Sequence, residues 1–261
     1  MKVSFVIPTR NQARFIGRCL DSCLAQRIGD AEILVQDGLS DDGTTGILAG
    51  YGERIDWRSE ADSGQAQAVN RAVARASGEI VAWINSDDFY PDPTVLPAVV
   101  AAFESDPAVD VVHGGALTVD GEGRPIRPHR TREMRRLADL LVSPTGPSMQ
   151  PAVFFRRRLY LQAGGLREDL HYAMDYDLWL RMFPLAGAFR FLPRPLACAT
   201  FHAGAKSIRG MRRQIDEIVM LKRAYAPVYR LGLGERLRLW SGVAALYAYW
   251  AAVRLGVRRA A

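Results

Sequence analysis

Three observations predict an α/β fold with a mainly parallel central sheet, flanking helices and a helical C-terminal extension. Short β-branched runs alternate with segments of helical period through the first half of the chain. Residues 79–84 are apolar on both faces, as a central strand must be. Carboxylates recur where the strand-like runs end, the edge at which open α/β sheets hold ligands.

Residues 3–7 form the first expected strand, ended by Pro8. Asn11 is placed to cap the next helix, in which Phe15, Ile16, Cys19, Leu20, Cys23 and Leu24 recur at helical spacing. Residues 33–35 read as a second strand closed by DGLSDDGT, 44–51 as a helix, 55–59 as a weaker strand and 65–76 as a helix stopped at Gly78. After the central strand come a helix over 93–104 and a strand from 109 into 114. Residues 125–147 are polar and proline-punctuated, which predicts an irregular excursion. A strand over 149–155, helices over 156–163 and 175–183, and a late strand over 189–200 interrupted by two prolines complete the body.

A chain of 261 residues suits one α/β domain of about 200 residues with an appendage, here 1–210 and 211–261. Residues 206–261 hold 12 Lys or Arg against Asp216, Glu217 and Glu235, a surplus of nine. The whole chain carries +6, which leaves residues 1–205 at −3. An acidic body with a basic tail argues against nucleic acid and for a local anionic partner such as a membrane surface. Residues 239–253 carry no charge but span only about 22 Å as a helix, short of a bilayer core of about 30 Å. With Trp240, Tyr247, Tyr249 and Trp250, this helix is expected either to lie at the inner-membrane surface or to pack on its own domain or a second subunit, as in a homodimer. Cys19, Cys23 and Cys198 lack C-x-x-C spacing, so free thiols are expected. The strand-like start without a basic, then apolar, leader suggests a cytoplasmic protein.

Polar residues gather at the strand ends: Thr9 to Asn11, then Asp37, Asp41 and Asp42, then Glu60 and Asp62, then Asn85 to Asp88. Neither G-x-G-x-x-G after the first strand nor a P-loop is present. Phosphates are then handled another way. A carboxylate pair at a strand end can hold Mg²⁺ or Mn²⁺, which bridge protein oxygens to substrate phosphates.

In order, VSFVIPTRN (3–11), ILVQDGLSDDGT (33–44), EADSGQAQAVNRA (60–72), GEIVAWINSDDFYPD (78–92) and MDYDLWLRM (174–182) resemble the motifs of family 2 glycosyltransferases, which have the GT-A fold. The resemblance implies an inverting transfer of a sugar from a nucleotide-diphosphate donor, a UDP-sugar, to a hydroxyl of a glycan or lipid-linked acceptor in cell-surface polysaccharide synthesis. It implies that Thr9 and Asp37, with Pro8 and Asn11 beside them, meet the donor's nucleoside. Asp62 and Gln65 would lie near the donor sugar, supported by Asn70. Asp88 would ligate Mn²⁺ or Mg²⁺ while Asp87 faces the sugar or ribose, and His202 would serve as a further metal or phosphate contact. Asp175 would be the catalytic base, with Asp177 turned elsewhere. Lys206 and Arg209 would close on the diphosphate. Gln36 and Met174 stand where many relatives carry acidic residues.

Two other readings fit less well. A sugar nucleotidyltransferase needs a Gly- and Arg-rich loop after the first strand, which Thr9 to Gln12 do not supply. A non-catalytic nucleotide-sugar-binding or membrane scaffold would have no need of Asp88 and Asp175.

Overall fold

A computed structural model describes residues 1–129, 131–143, 148–202 and 204–255. Parts of the expected 125–147 excursion, namely 130 and 144–147, and the tail end 256–261 lie outside these.

The first half builds four parallel strands, β1 (Val3–Thr9), β2 (Ala31–Asp37), β3 (Asp56–Ser59) and β4 (Ile80–Trp83), in the order β3-β2-β1-β4. Their crossovers are α1 (Ile16–Leu24), α2 (Thr44–Gly50) and α3 (Gln65–Arg75). Pro8 does not end β1. Pairing with β4 stops at Val6 and Trp83, so beyond it the missing proline N–H faces no neighbouring strand, while the other edge still pairs Pro8 with Gln36.

After α4 (Val95–Glu104) come β5 (Val109–Val119), β6 (Pro125–His129), α5 (Leu137–Val142), β7 (Val153–Arg156), α6 (Arg157–Gln162), α7 (Met174–Met182) and β8 (Ala188–Thr200). β7 runs antiparallel between β4 and β5, and β8 pairs with β5 in parallel. The expected strand to 114 is therefore longer, and the excursion contains a strand and a helix. At Gly114 a side chain would meet Leu196 at 2.6 Å; without one, β8 crosses close to β5, and the ladder shifts register there. The final helices are α8 (Lys206–Arg209), α9 (Met211–Tyr225) and α10 (Leu233–Arg254).

Strand alternation sorts the core into two clusters. Val3, Phe5 and Ile7 join one with α1 and α4, while Val6, Leu34, Val81 and Trp83 join the other with α3 and α7. Ile215, Ile218 and Val219 of α9 and Leu239 and Val243 of α10 belong to that second cluster. Chain beyond 210 thus packs on the body. Tyr247 and Trp250 do so as well: Arg212 of α9 lies over both rings, and Tyr247 donates a 2.8 Å hydrogen bond to Asp216.

Candidate active site at the carboxyl edge of the sheet

Parallel register sets Thr9, Asp37 and Ser59 in one row at the ends of β1, β2 and β3. Asp37 is wholly buried, and its carboxylate accepts hydrogen bonds from Ser59 Oγ at 2.6 Å and from the N–H and hydroxyl of Ser40 at 3.0 and 2.5 Å. Asp37 thus braces this corner, with one lone pair of Oδ1 not used by these bonds. Thr9 is also buried, yet its Oγ1 has no partner among the described residues. An unpaired buried hydroxyl is costly, and Thr9 carries one at this corner. Pro8 lies just behind it in β1.

Asn11 does not cap α1, whose N-cap is Phe15. It holds a positive φ of 52°, donates its N–H to Ser40 Oγ at 2.7 Å and accepts Asp41 N–H at 3.0 Å. It therefore ties the β1 and β2 loops together at their exposed rim.

Before α3, Asp62 accepts Gly64 N–H at 2.9 Å and lies against Gly38, where an added methyl would fall 2.7 Å from its carboxylate. Gln65 donates to Asn85 Oδ1 at 2.7 Å and accepts from Lys206 Nζ at 3.4 Å. Asn70 departs from expectation. Its amide donates to Leu166 O at 2.9 Å and Glu168 at 3.0 Å and accepts from Tyr160 Oη and Leu166 N–H. With both ends satisfied, it pins the 165–168 loop to α3 and has no group left for a donor.

Beyond β4, Phe89 and Cys198 exchange backbone hydrogen bonds of 3.1 and 2.8 Å that stitch the acidic pair to β8. Asp88 is buried, and its Oδ1 accepts Thr200 N–H at 2.9 Å. Burial, then the neighbouring Asp87, push its carboxyl well above the usual range, against the pull of Thr200 N–H, Arg18 and Asn85. Asp87 is less buried and stands 3.1 Å from His202 Nε2. The His202 ring rests on Phe15, 4.6 Å between centroids.

Asp87 and His202 share a 3.1 Å hydrogen bond, and the oxygen and imidazole nitrogen that make it are both donor types a divalent cation accepts. Neighbouring ligands on an octahedral ion with bonds of about 2.1 Å lie about 3 Å apart, close to the Asp87–His202 separation. Among the described residues no three His, Cys, Asp or Glu side chains are grouped to hold a metal by themselves. A cation here must take further ligands from substrate phosphates, as Mg²⁺ commonly does. The structure also alters the expected pairing: His202 stands beside Asp87, whereas Asp88 is turned to Thr200.

Asp175 occupies the first turn of α7, behind the N-cap Ala173, and accepts Tyr176 N–H at 2.7 Å. Burial raises its carboxyl to about 6, opposed by Tyr176 N–H and the Lys206 cation. Much of Lys206 is open to solvent, but its ammonium sits among Asp175, Glu217 and Gln65, and burial lowers its pKa. A continuous line therefore runs from Asp175 through Lys206, Gln65 and Asn85 to Asp88. Arg209 takes the other direction and lines a cavity with Arg212 and Arg213. Asp177 is fully buried and pairs with Arg181 at 2.7 Å and Arg167 at 3.7 Å, a structural task.

Sequence reasoning gives no role to Glu217 or Arg18 and names Asn85 only in passing. Glu217 accepts the N–H groups of His171, Tyr172 and Ala173 at 3.1, 2.8 and 2.8 Å; beside Asp216 in a basic segment, it carries no signal of this role in the local sequence. Arg18 lies 4.4 Å over the Phe89 ring and donates to Thr200 Oγ1 at 3.1 Å. Nothing in the local sequence marks it.

The sequence model described as glycosyl transferase family 2 matches residues 4–165, well over half the chain. The chain belongs to glycosyl transferase family 2. All the strand-end residues up to Asp88 fall inside the match, while Asp175, His202 and Lys206 lie beyond it. An uncharacterized glycosyltransferase of Rickettsia conorii is 28% identical over 214 residues, 79% of this chain and 35% of that protein. The chain spans about a third of the length of the first such relatives. Among solved structures, S. aureus TarS residues 1–349 in complex with UDP-GlcNAc is similar with a TM-score of 0.75 and 20% identity, over 99% of this chain and 77% of that one. The mannosyltransferase PcManGT of Pyrobaculum calidifontis, in complex with GDP-Man and Mn²⁺, gives 0.63 and 21%, over 96% and 75%. These likenesses show that the family 2 chain has the GT-A fold.

Proposed function

We propose that the chain is an inverting glycosyltransferase that moves a sugar from a UDP-sugar to a hydroxyl of a glycan or lipid-linked acceptor in cell-surface polysaccharide synthesis. The observation that carries this reading is the line from Asp175 through Lys206, Gln65 and Asn85 to Asp88, which joins a raised carboxyl to an acidic strand end. The TarS and PcManGT complexes hold nucleotide-sugars on the same fold.

In this reading Thr9 Oγ1 bonds the donor's nucleoside, over the corner that Asp37 braces with Ser40 and Ser59. Asp62 and Gln65 border the donor sugar. Asp87 and His202, with Asp88 behind them, would hold Mn²⁺ or Mg²⁺. Such an ion neutralises charge gathering on the leaving diphosphate. Asp175 takes the acceptor hydroxyl's proton as the oxygen bonds to the anomeric carbon and the bond to the nucleoside diphosphate breaks. A carboxylate with a pKa of about 6 is ionised at neutral pH yet more basic than an exposed one. Lys206 keeps it ionised and steadies Gln65.

The protein acts, in this reading, on the cytoplasmic side of the inner membrane. Among the described residues no helix is long and apolar enough to cross a membrane. Leu233, Leu237 and Trp240 form an exposed apolar stripe at i, i+4 and i+7 on α10, flanked by the exposed Arg236 and Arg238. That combination suits the headgroup region of an anionic bilayer.

Turnover of UDP-sugars with Mn²⁺, with and without glycan acceptors, tests the activity. Binding of UDP with no hydrolysis or transfer of any donor would leave a non-catalytic scaffold as the function.

A further inference from the structure

A cavity of about 600 Å³ opens between the start of α9 and the end of α10 and is lined by Tyr172, whose ring also carries Lys206. Arg209, Arg212, Arg213 and Arg254 line it, with Tyr172 and Trp250, and among the described residues no Asp or Glu does. Arg212 is held by Asp216 at 3.0 Å and stacks 4.9 Å over Trp250, which Arg254 also faces at 5.5 Å. Arg209 and Arg213 have no carboxylate partner among the described residues. Among the described residues no side chain caps α9, so its first N–H groups add to the positive potential. With Arg212 already paired to Asp216, the guanidinium groups of Arg209, Arg213 and Arg254 share the lining of one hollow, and their planar forks match phosphate oxygens.

We infer that this cavity is a binding site for a phosphate ester carried by the acceptor, separate from the donor diphosphate. The link to the chemistry is Tyr172. Its ring carries Lys206, 5.4 Å from the centroid, and Tyr172 also lines the cavity, three residues before Asp175. A phosphate held by the arginines would leave a hydroxyl further along the same acceptor within reach of the base. The inference deepens the proposed transfer and rests on Asp175 facing the acceptor.

Binding is measured on the full chain with glycerol 3-phosphate as the soluble probe, with UDP and Mn²⁺ as the donor control, and with vesicles containing phosphatidylglycerol as the lipid probe. Wild type is expected to bind glycerol 3-phosphate saturably, also when UDP is bound. Arg209→Ala with Arg213→Ala weakens that binding by at least about tenfold and leaves UDP affinity unchanged. Loss of UDP affinity in the double variant assigns the arginines to the donor and overturns the inference. So does absence of glycerol 3-phosphate binding by wild type, including the case where vesicle binding alone falls in the variant, which would make the hollow a membrane contact. Failure of wild type to bind UDP counts against the proposed function instead.

Discussion

The carboxylate of Glu217, carried on α9, accepts a 2.8 Å hydrogen bond from the N–H of Ala173, the N-cap of the helix that holds Asp175. The same carboxylate takes Tyr172 N–H, also at 2.8 Å. The basic C-terminal segment thus positions the candidate base, an acid at a helix N-terminus being favoured by the helix dipole as well. Glu217→Ala is expected to destabilise the fold by about 1.5–3 kcal/mol, since charge-assisted bonds to backbone amides are lost, and to lower kcat with UDP affinity kept. Chemical denaturation and steady-state kinetics read the two effects.

Asp175→Asn is expected to retain UDP binding while transfer falls by about 10²–10⁴-fold, the range for loss of a positioned base. Equal turnover in the variant removes Asp175 from the mechanism.

The same carboxyl sets a pH dependence. Its folded pKa of about 6 lies above the ordinary value of 3.8, so the folded state binds more protons between these values and loses stability as pH rises through that window. Asp175→Asn removes this penalty. It should raise the melting temperature at pH 7.5 and have little effect at pH 3.5. For catalysis the ionised form is required, so kcat/KM should rise with pH through about 6. Lys206→Ala should move that limb to higher pH, because the ammonium favours the carboxylate.

Gly210 packs on Tyr172 so closely that a Cβ would fall 2.0 Å from the ring. Its φ of −106° imposes no special conformation, so the constraint is steric alone. Gly210→Ala is expected to cost about 1–3 kcal/mol, as overpacking does. Tyr172→Ala should relieve the clash, and a double-mutant cycle measures the coupling.

Removing α10 would strip Leu239 and Val243 from the core, so deletion cannot separate membrane contact from folding. Leu237→Glu with Trp240→Glu changes only the exposed stripe. Co-sedimentation with anionic vesicles should fall while the melting temperature and UDP affinity stay constant.

Local patterns carried the parallel half of the fold. Period-2 and period-3.6 apolar spacing placed β1 to β4 with α1 to α3 within a few residues, and the strand-end carboxylates marked the functional edge. Where neighbours decide, local pattern misled. Pro8 continues a strand because one side of β1 has no partner there, and β6 sits in a polar segment because β5 offers it an edge.

The family motifs named Asp37, Asn70, Asp88 and Asp175 by type and order, and that much the sequence determined by itself. Only the tertiary structure decided which of them are spent on hydrogen bonds within the protein. Asn70 is saturated by Leu166, Glu168 and Tyr160 and Asp37 is largely engaged by Ser40 and Ser59, whereas Thr9 Oγ1 has no partner among the described residues. It also set His202 against Asp87, Lys206 between Asp175 and Gln65, and Glu217 beneath α7. Hydrogen-bond satisfaction and desolvation depend on groups more than a hundred residues apart, as Asp87 and His202 are, and no local spacing encodes them.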